Sequence, residues 1–285
     1  MNAKHIKTLA HFEAEHAQPK LKRMQAALAA EKAKVEALAG KADQVHVFKA
    51  TDENTIRFAV CGDTQAGSLY AATEQFSAFC VAAKERGCEI VLHTGDVLDG
   101  WKVYRGQEFE LRDVGFDAQI ARLAEMSDAS ATLPVAFITG NHDLSFKTLA
   151  GVNVGGAISD AAGWRHLGDE HATVELRTKD GTPYTVGLYH NGGGTSYALS
   201  YRIQKSVEAL EGGRKPQMAC YGHYHKAEFI PSYRNVAAIQ SGCFQWQTPF
   251  MARMALAAHV GGWIVEVTPG ETWNRVRAEF IAFYR

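Results

Sequence analysis

The chain has 285 residues, of which 46% are apolar and 21% are charged, and this composition is typical of a globular protein and excludes a disordered one. The net charge is -1 but uneven, since residues 1–49 carry nine Lys or Arg against five Asp or Glu, and the rest carries 21 against 26. The mildly acidic remainder argues against tight nonspecific binding of nucleic acid by that part.

The N-terminal segment, residues 1–49, is predicted to form a helical extension, with helices at 2–16 and 20–39 separated by Pro19. The second helix places apolar residues on heptad a and d positions: Leu21, Met24, Leu28, Val35 and Leu38. This pattern is too short for a confident coiled coil. Packing on the domain body, self-association into a homo-oligomer through residues 2–39, and a basic arm for nucleic acid all stay open.

From residue 50 to 285 we expect one domain. Short apolar runs rich in β-branched residues each end at a glycine and a polar residue: 56–61, 90–93 and 135–139. Helical stretches lie between these runs, at about 71–86 and 114–128. This alternation indicates an α/β fold with parallel strands. In such sheets, functional sites gather at the carboxyl ends of the strands.

The second half is predicted to form a second, more antiparallel sheet. Runs at 173–177 and 184–189 flank a Lys-Asp-Gly-Thr-Pro turn, which indicates a hairpin. A helix at about 198–211 follows. Four further strands are expected: 218–221, 227–230, 236–240 and 263–267. We expect the two sheets to pack together, with helices outside.

The cellular location is indicated by cysteine usage and by charge. The five cysteines are scattered, form no CxxC pair and lie mostly in apolar runs, which is typical of reduced thiols. Charged residues interrupt both the N-terminal segment and the most apolar late stretch, Phe250 to Val267. Neither a signal peptide nor a membrane span is therefore expected, and we predict a cytoplasmic protein with no membrane partner.

Five short segments each place a metal-ligand side chain next to glycine, at the end of an apolar run. They are Gly62-Asp63-Thr64-Gln65, Gly95-Asp96-Val97-Leu98-Asp99, Gly140-Asn141-His142-Asp143, His190-Asn191-Gly192 and Gly222-His223-Tyr224-His225. Aspartate, asparagine and histidine together suit a pair of divalent metals of the Mn, Fe or Zn type. Asp96 follows a buried strand and a turn glycine, so it is the natural bridging carboxylate. His223 and His225, two residues apart, can point to the same side of an extended segment.

The order of these segments resembles the calcineurin-like metallophosphoesterase superfamily. Its pattern is Asp-x-His, Gly-Asp-x-x-Asp, Gly-Asn-His-Asp/Glu, a lone His and Gly-His-x-His, and four of these five motifs match fully between about residues 56 and 245. The resemblance implies a four-layer α/β/β/α sandwich of two mixed sheets, with residues 50–285 as the catalytic domain. More loosely, the chain looks like stand-alone members of phage and archaeal type, through Trp101–Glu110, Gly242–Pro249 and His259–Trp263.

The resemblance also implies a role for each residue of the site. The implied ligands are Asp63, Gln65, Asp96 and His225 for one metal, and Asp96, Asn141, His190 and His223 for the other. His142 would stabilise the phosphoryl oxygens or protonate the leaving group, with Asp143 orienting it. The implied reaction is hydrolysis of a phosphoester by attack of a metal-bridging hydroxide.

Gln65 departs from the family pattern, which has histidine at this position. A glutamine oxygen is a neutral, hard ligand that binds Zn, Fe or Cu more weakly than imidazole does. We predict a weaker or labile first metal site that favours Mn, with Fe, Zn, Ni or Mg as alternatives. The opposite interpretation is that Gln65 or a water fills the position at little cost.

Substrate contacts are predicted in two further places. Trp101, Tyr104 and Arg105 follow the Asp96 loop and either stack on a base and clamp a phosphate or pack within their loop. Tyr224 is expected to line the cleft. These residues favour phosphodiesters, such as nucleotides or nucleic acid, over monoesters. A DNA nuclease of the repair-exonuclease branch and a weakly active metal-binding scaffold subunit are the alternatives.

Overall fold

The structure is a computed structural model that describes residues 45–130, 132–213 and 215–285. The predicted helices at 2–16 and 20–39, and self-association through them, lie outside these residues. The described compact unit begins at Val45. Its first element is a strand, Val45–Lys49, so the sheet begins before the domain boundary that we predicted at residue 50.

Twelve strands and six α-helices make up the described part of the chain. The strands are β1 Val45–Lys49, β2 Ile56–Cys61, β3 Val91–His93, β4 Val135–Thr139, β5 Arg165–Asp169, β6 His171–Arg177, β7 Pro183–Tyr189, β8 Met218–Tyr221, β9 Ala227–Tyr233, β10 Val236–Ser241, β11 Gly261–Pro269 and β12 Asn274–Ala282. The helices are α1 Thr73–Glu85, α2 Phe116–Ser130, α3 Asn141–Ala150, α4 Val154–Ala162, α5 Tyr201–Ala209 and α6 Pro249–Arg253. Every strand and helix that we predicted after residue 54 is present within a few residues of its expected bounds.

The first sheet has the strand order β12-β11-β2-β3-β4-β5. The strands β2 to β5 run parallel, while β11 pairs antiparallel with both β2 and β12. All residues of β3 and β4 are buried, because both faces of this sheet are covered. This explains why these strands read as continuous apolar runs in the sequence.

The second sheet has the order β1-β6-β7-β8-β10-β9 and is also mixed. The prediction that it contains 263–267 is wrong, since these residues lie in β11 and pair with β2 of the first sheet. The prediction that it is the more antiparallel sheet is also wrong, because each sheet has three parallel and two antiparallel pairings. Both errors have one cause: a late apolar run carries no local signal of the distant strand it will pair with.

The sheets pack face to face, and helices cover their outer faces. Phe58 of β2 and Val186 of β7 are both fully buried in the core between the sheets. Phe79 of α1 lies in the core on the outer face of the first sheet. Ile203 of α5 packs with Ala219 of β8 on the outer face of the second. The predicted four-layer α/β/β/α sandwich of two mixed sheets is therefore confirmed.

No helix among the described residues combines the length and the apolar character that crossing a bilayer requires.

Candidate metal centre

The seven predicted ligands lie just after five strands at one edge of the sandwich, six of them in loops and Asn141 at the first residue of α3. Asp63 and Gln65 follow β2, Asp96 follows β3, Asn141 follows β4, His190 follows β7, and His223 and His225 follow β8. β2, β3 and β4 are parallel neighbours in one sheet, and β7 and β8 are parallel neighbours in the other. Their carboxyl ends therefore meet at one edge, where both sheets contribute ligands.

The backbone is left-handed at most of these ligands. The φ angle is +52° at Asp63, +49° at Gln65, +53° at Asp96, +81° at His223 and +53° at His225. Each such residue costs on the order of 1–3 kcal/mol and persists only where the surroundings hold it. Here the turns hold one another, since Asp63 N donates to Gly95 O over 2.9 Å and Gln65 N donates to Asp96 O over 3.2 Å. Strain of this kind is typical of functional sites.

Two groups of ligands share Asp96. We call Asp63, Gln65, Asp96 and His225 the first half-site, and Asp96, Asn141, His190 and His223 the second half-site. In the second, ligand atoms of Asp96, His190 and His223 all lie within 4.8 Å of one another. His190 Nε2 is 3.1 Å from Asp96 Oδ2 and 3.2 Å from Asn141 Oδ1, and His223 Nδ1 is 2.8 Å from Asn141 Oδ1. These distances place all four ligands around one point.

In the second half-site, one ring nitrogen of each histidine faces a backbone carbonyl and the other faces Asn141. His190 Nδ1 lies 2.7 Å from Thr94 O, and His223 Nε2 lies 2.9 Å from Gly193 O. A carbonyl only accepts, so these two nitrogens carry the ring protons and donate. The other nitrogen of each ring then presents a lone pair to the Asn141 oxygen. Lone pairs that converge in this way fit a divalent cation, and the outward hydrogen bonds orient the ligands as in known metal sites.

The electrostatics of this half-site also favour positive charge. Burial lowers the pKa of His190, but the Asp96 carboxylate more than offsets this and raises it to about 9, so without a cation Nε2 also holds a proton, which a bound cation would displace. Burial raises the pKa of Asp96, yet His190 and His142 hold it below the usual range of a carboxyl. The Asp96 carboxylate is therefore ionised at neutral pH, as a metal ligand must be.

In the first half-site, the amide of Gln65 is oriented by its surroundings. One terminal amide atom lies 2.9 Å from Asp99 Oδ1 and 3.3 Å from Leu98 O, which are acceptors, so this atom is the nitrogen. The other terminal atom, 3.4 Å from Asp96 Oδ2, is therefore the oxygen. Two oxygens that face each other at this distance fit a cation between them. Gln65 is thus compatible with a ligand position despite its departure from the family pattern.

Asp63 and His225 complete this half-site. His225 Nε2 is 3.3 Å from Asp63 Oδ1. Both Asp63 oxygens accept from His223 N at 3.1 Å, which ties this carboxylate to the loop of the other half-site. His225 Nδ1 is buried without an oxygen or nitrogen partner among the described residues, and the ring interacts with the Cys243 thiol instead. Sulfur is a weak hydrogen-bond partner, so the ring of His225 is less firmly oriented than the rings of His190 and His223, which backbone carbonyls hold.

His142 lies at the cleft side of the centre. Its Nδ1 donates to Asp99 O over 2.6 Å, and its Nε2 lies 4.0 Å from Asp96 Oδ2. The imidazole is therefore oriented by Asp99, whereas we had expected Asp143 to do this. Asp143 is fully buried, and its two oxygens accept from the backbone N–H groups of Val97, Leu98 and Gly140. It fixes the loop after β3 and the start of α3, because a buried carboxylate binds the backbone donors around it.

Three motif glycines are required by their close approach to His190. A Cβ atom at Gly95, Gly140 or Gly222 would lie 2.6, 2.7 or 2.8 Å from an atom of that ring. At Gly140 the same Cβ would also lie 2.2 Å from Asp96 Oδ1. The glycines beside Asp96, Asn141 and His223 in the sequence are thus explained by packing around one imidazole.

His93, the last residue of β3, is a positioning residue that the sequence analysis missed. Its Nδ1 accepts from Gly95 N over 3.2 Å, and its Nε2 lies 3.1 Å from Thr64 Oγ1. It therefore connects the loop of Asp63 to the loop of Asp96. Burial lowers the pKa of His93 to about 4, so the ring is neutral. Its apolar neighbours in the sequence gave no signal of this role.

The centre opens into a cleft of about 510 Å³. Tyr104 and Tyr224 line the cleft. Trp101 instead packs against the core under the first sheet, and Arg105 is exposed in its loop. The structure therefore brings only two of the four predicted substrate residues to the cleft.

One wall of the cleft was not predicted. It is apolar and comes mostly from α6 and the residues after it: Val103, Phe250, Met251, Met254 and Leu256. Tyr104 stacks on Phe250 with 4.4 Å between ring centroids, and its hydroxyl donates to Glu110 Oε2 over 2.8 Å. The face of the Tyr104 ring, and not its hydroxyl, therefore belongs to this wall. The apolar run after residue 249 was the available signal.

Comparison with known proteins gives one family match. The model of the calcineurin-like phosphoesterase family matches residues 56–227. No curated protein matches significantly. Similar solved structures include Vacuolar Protein Sorting 29 from Cryptosporidium parvum. Its alignment has 13% sequence identity, covers 81% of this chain and 100% of that chain, and has a TM-score of 0.38. A dimetal phosphatase from Danio rerio has 11% identity, 81% and 100% coverage and a TM-score of 0.42. The nuclease MPE from Pseudomonas putida has 14% identity, 77% and 87% coverage and a TM-score of 0.33.

Proposed function

The chain belongs to the calcineurin-like phosphoesterase family, and from this premise we propose that it is a phosphodiesterase that depends on two divalent metal ions. The observation that carries the proposal is the convergence of lone pairs in the second half-site. His190 Nε2 and His223 Nδ1 both face Asn141 Oδ1, while the opposite nitrogen of each ring is held by a backbone carbonyl. Two ring nitrogens, an amide oxygen and a carboxylate that converge in this way suit a divalent cation.

In this proposal the first half-site would hold one metal and the second half-site the other, and Asp96 would be a ligand common to both. When bound, two such cations lower the pKa of a water molecule and neutralise charge on the phosphoryl group. The first half-site offers oxygens from Asp63, Gln65 and Asp96 and a single imidazole. Oxygen-rich sets favour harder ions, so we propose Mn as the metal that supports activity best.

We assign His142 the proton that the leaving group needs. Its Nδ1 is fixed on Asp99 O, which leaves Nε2 on the cleft side and 4.0 Å from Asp96 Oδ2. A protonated Nε2 at this place can donate to the leaving oxygen, and its charge can also stabilise the phosphoryl oxygens. Asp143 supports the reaction indirectly, because it holds the loop that carries Asp96.

The walls of the cleft favour a phosphodiester. Among the described residues that line it, none is Lys or Arg. A monoester dianion carries one more negative charge than a diester, and these walls add no cationic side chain to balance it, whereas a diester has a second substituent for them to contact. The apolar wall with Tyr104 and Phe250 suits an aromatic or other apolar substituent.

All five cysteines are buried and free, which supports our expectation of a reducing, cytoplasmic location.

The test is a panel of substrates and metals. Bis-p-nitrophenyl phosphate and p-nitrophenyl phosphate would be assayed with Mn, Mg, Zn or Ni, using the full chain and Asp96→Asn. We expect turnover of the diester to exceed that of the monoester, to be highest with Mn and to fall on the order of 10³-fold in the variant. Absence of turnover in every wild-type assay would contradict the proposal. Cleavage of DNA without turnover of the small diester would instead indicate a nuclease.

A further inference from the structure

A second cavity, of about 410 Å³, lies on the other side of Tyr224. Helix α5 contributes Arg202 and Lys205 to its wall, and the loop after β7 contributes Asn191. Tyr224 lines both this cavity and the metal cleft. A ligand long enough to pass Tyr224 would therefore reach both.

The wall of this cavity is cationic. Arg202 and Lys205 are three residues apart on α5, so their side chains are neighbours on one face. Lys205 pairs with Glu208 at 3.0 Å, on the exposed side. For Arg202, no carboxylate lies within ion-pair distance in the part of the chain that the structure describes. Its Nε is buried and has no hydrogen-bond partner there.

A second buried donor in the wall also lacks a partner. Tyr221 is 1% exposed, and its hydroxyl makes no hydrogen bond with a described residue. Its ring stacks on Tyr189 with 5.2 Å between centroids, which fixes its direction. A buried polar group without a partner in a native fold calls for an explanation, and a bound ligand is one.

We infer that this cavity is a subsite for a second phosphate group of the substrate. Two residues of its wall carry buried donors without a partner among the described residues, Arg202 Nε and the Tyr221 hydroxyl, and a phosphate offers only acceptors and negative charge. The guanidinium supplies the fixed charge that the metal cleft lacks on its walls. This inference rests on the proposed function, since it places one phosphate at the metals and the other beside Arg202. The substrate class is thus a diester or nucleotide that carries an additional phosphate.

The experiment compares the affinity of the metal-loaded full chain for three ligands by calorimetry. Thymidine 3′,5′-bisphosphate is set against thymidine 3′-phosphate and thymidine 5′-phosphate. We expect the bisphosphate to bind ~10-fold more tightly than either monophosphate, because charge-assisted hydrogen bonds to a second phosphate are strong. Equal affinities in the wild type would overturn the inference. This comparison needs no turnover, so it is independent of whether the chain hydrolyses diesters.

Variants then locate the second phosphate. Arg202→Gln is expected to abolish the advantage of the bisphosphate, while Arg277→Gln, an exposed change on β12 of the other sheet, should retain it. Tyr221→Phe should reduce the advantage without lowering the melting temperature, because the hydroxyl has no partner to lose. An advantage that survives Arg202→Gln would contradict the assignment. If bis-p-nitrophenyl phosphate is not hydrolysed, the proposed function fails, and the calorimetric ratio still decides the subsite.

Discussion

The two half-sites share Asp96 but differ in how firmly their ligands are held. In the second, backbone carbonyls of Thr94 and Gly193 fix both imidazoles at 2.7 and 2.9 Å. In the first, His225 Nδ1 has no oxygen or nitrogen partner among the described residues and its ring meets only the weak thiol partner Cys243, while the other ligand atoms are oxygens. Contacts behind a ligand commonly change metal affinity by about 10–100-fold. We therefore expect one tightly held and one exchangeable metal from a common plan of strand-end loops.

The change with the largest expected effect removes both half-sites together. Asp96→Asn takes the shared charge from both, and we expect activity to fall on the order of 10³-fold, since several kcal/mol of charge stabilisation are lost. Metal content by mass spectrometry and turnover of bis-p-nitrophenyl phosphate measure this. Asp160→Asn, at an exposed carboxylate on α4, is the control. Full metal content in Asp96→Asn would contradict the assigned bridge.

A change at His142 should leave both half-sites intact. For His142→Ala we expect activity to fall ~10²-fold while two metals stay bound, as for loss of a general acid or an oxyanion donor. Metal content and kcat are measured on the same samples. Loss of a metal together with the activity would show that His142 is a ligand, contrary to the proposed role.

A change at Asp143, the neighbour of His142, should instead lower the stability of the fold. Asp143→Asn leaves one of three buried backbone donors facing an amide nitrogen. We expect the free energy of unfolding to fall by about 1–3 kcal/mol, as for an unsatisfied buried donor. Denaturant unfolding of the two variants makes the comparison. Equal stability of Asp143→Asn and wild type would contradict the structural role.

One substitution should loosen the second half-site alone. In Gly222→Ala, the new Cβ would lie 2.5 Å from Thr94 O and 2.8 Å from His190 Nδ1, where these atoms form their hydrogen bond. We expect a loss of affinity for the tighter metal of about 10-fold, the size found when such a supporting contact is removed. Gly212→Ala, whose Cβ meets nothing within 4 Å, is the control. Unchanged affinity would show that the carbonyl does not set the strength of this half-site.

The smallest effect sharpens the difference between the half-sites. Gln65→His replaces an amide oxygen by imidazole, a softer ligand. We expect the weaker metal to bind a few-fold more tightly, and the ratio of activity with Zn to activity with Mn to rise above that of wild type. Metal titration measures both constants. Gln247→His, at an exposed residue, adds a histidine away from the ligands. Identical constants in Gln65→His and wild type would show that the glutamine does not weaken the first half-site.

The buried strands and the ligand loops were predictable because they carry local signals. The strands β2, β3 and β4 are covered on both faces, so each is a short apolar run, and the loop after each begins at or beside a glycine. β5 and β12, which were not predicted, lack such runs. β5 is Arg-His-Leu-Gly-Asp, and β12 alternates charged and apolar residues at the edge of its sheet.

Long-range contacts explain the rest of the differences. Asp143 contacts Val97 and Leu98, which are 46 and 45 residues away, and nothing in Asn-His-Asp distinguishes this from a contact with His142. The wall at Phe250 meets Tyr104 only through tertiary packing. Residue types at strand ends thus predict which side chains meet, whereas their partners behind the site depend on the whole fold.

The centre draws its ligands from both sheets, and this has a mechanical consequence. Asp96 and Asn141 extend from the first sheet, while His190 and His223 extend from the second, yet they approach within about 3 Å of one another. A cation held there would link the two sheets and oppose sliding of one sheet over the other. A packing defect such as Val186→Ala, buried between the sheets, should therefore register as altered metal affinity at a distance. The dissociation constants of the metals would therefore report how well the two sheets of the sandwich are aligned.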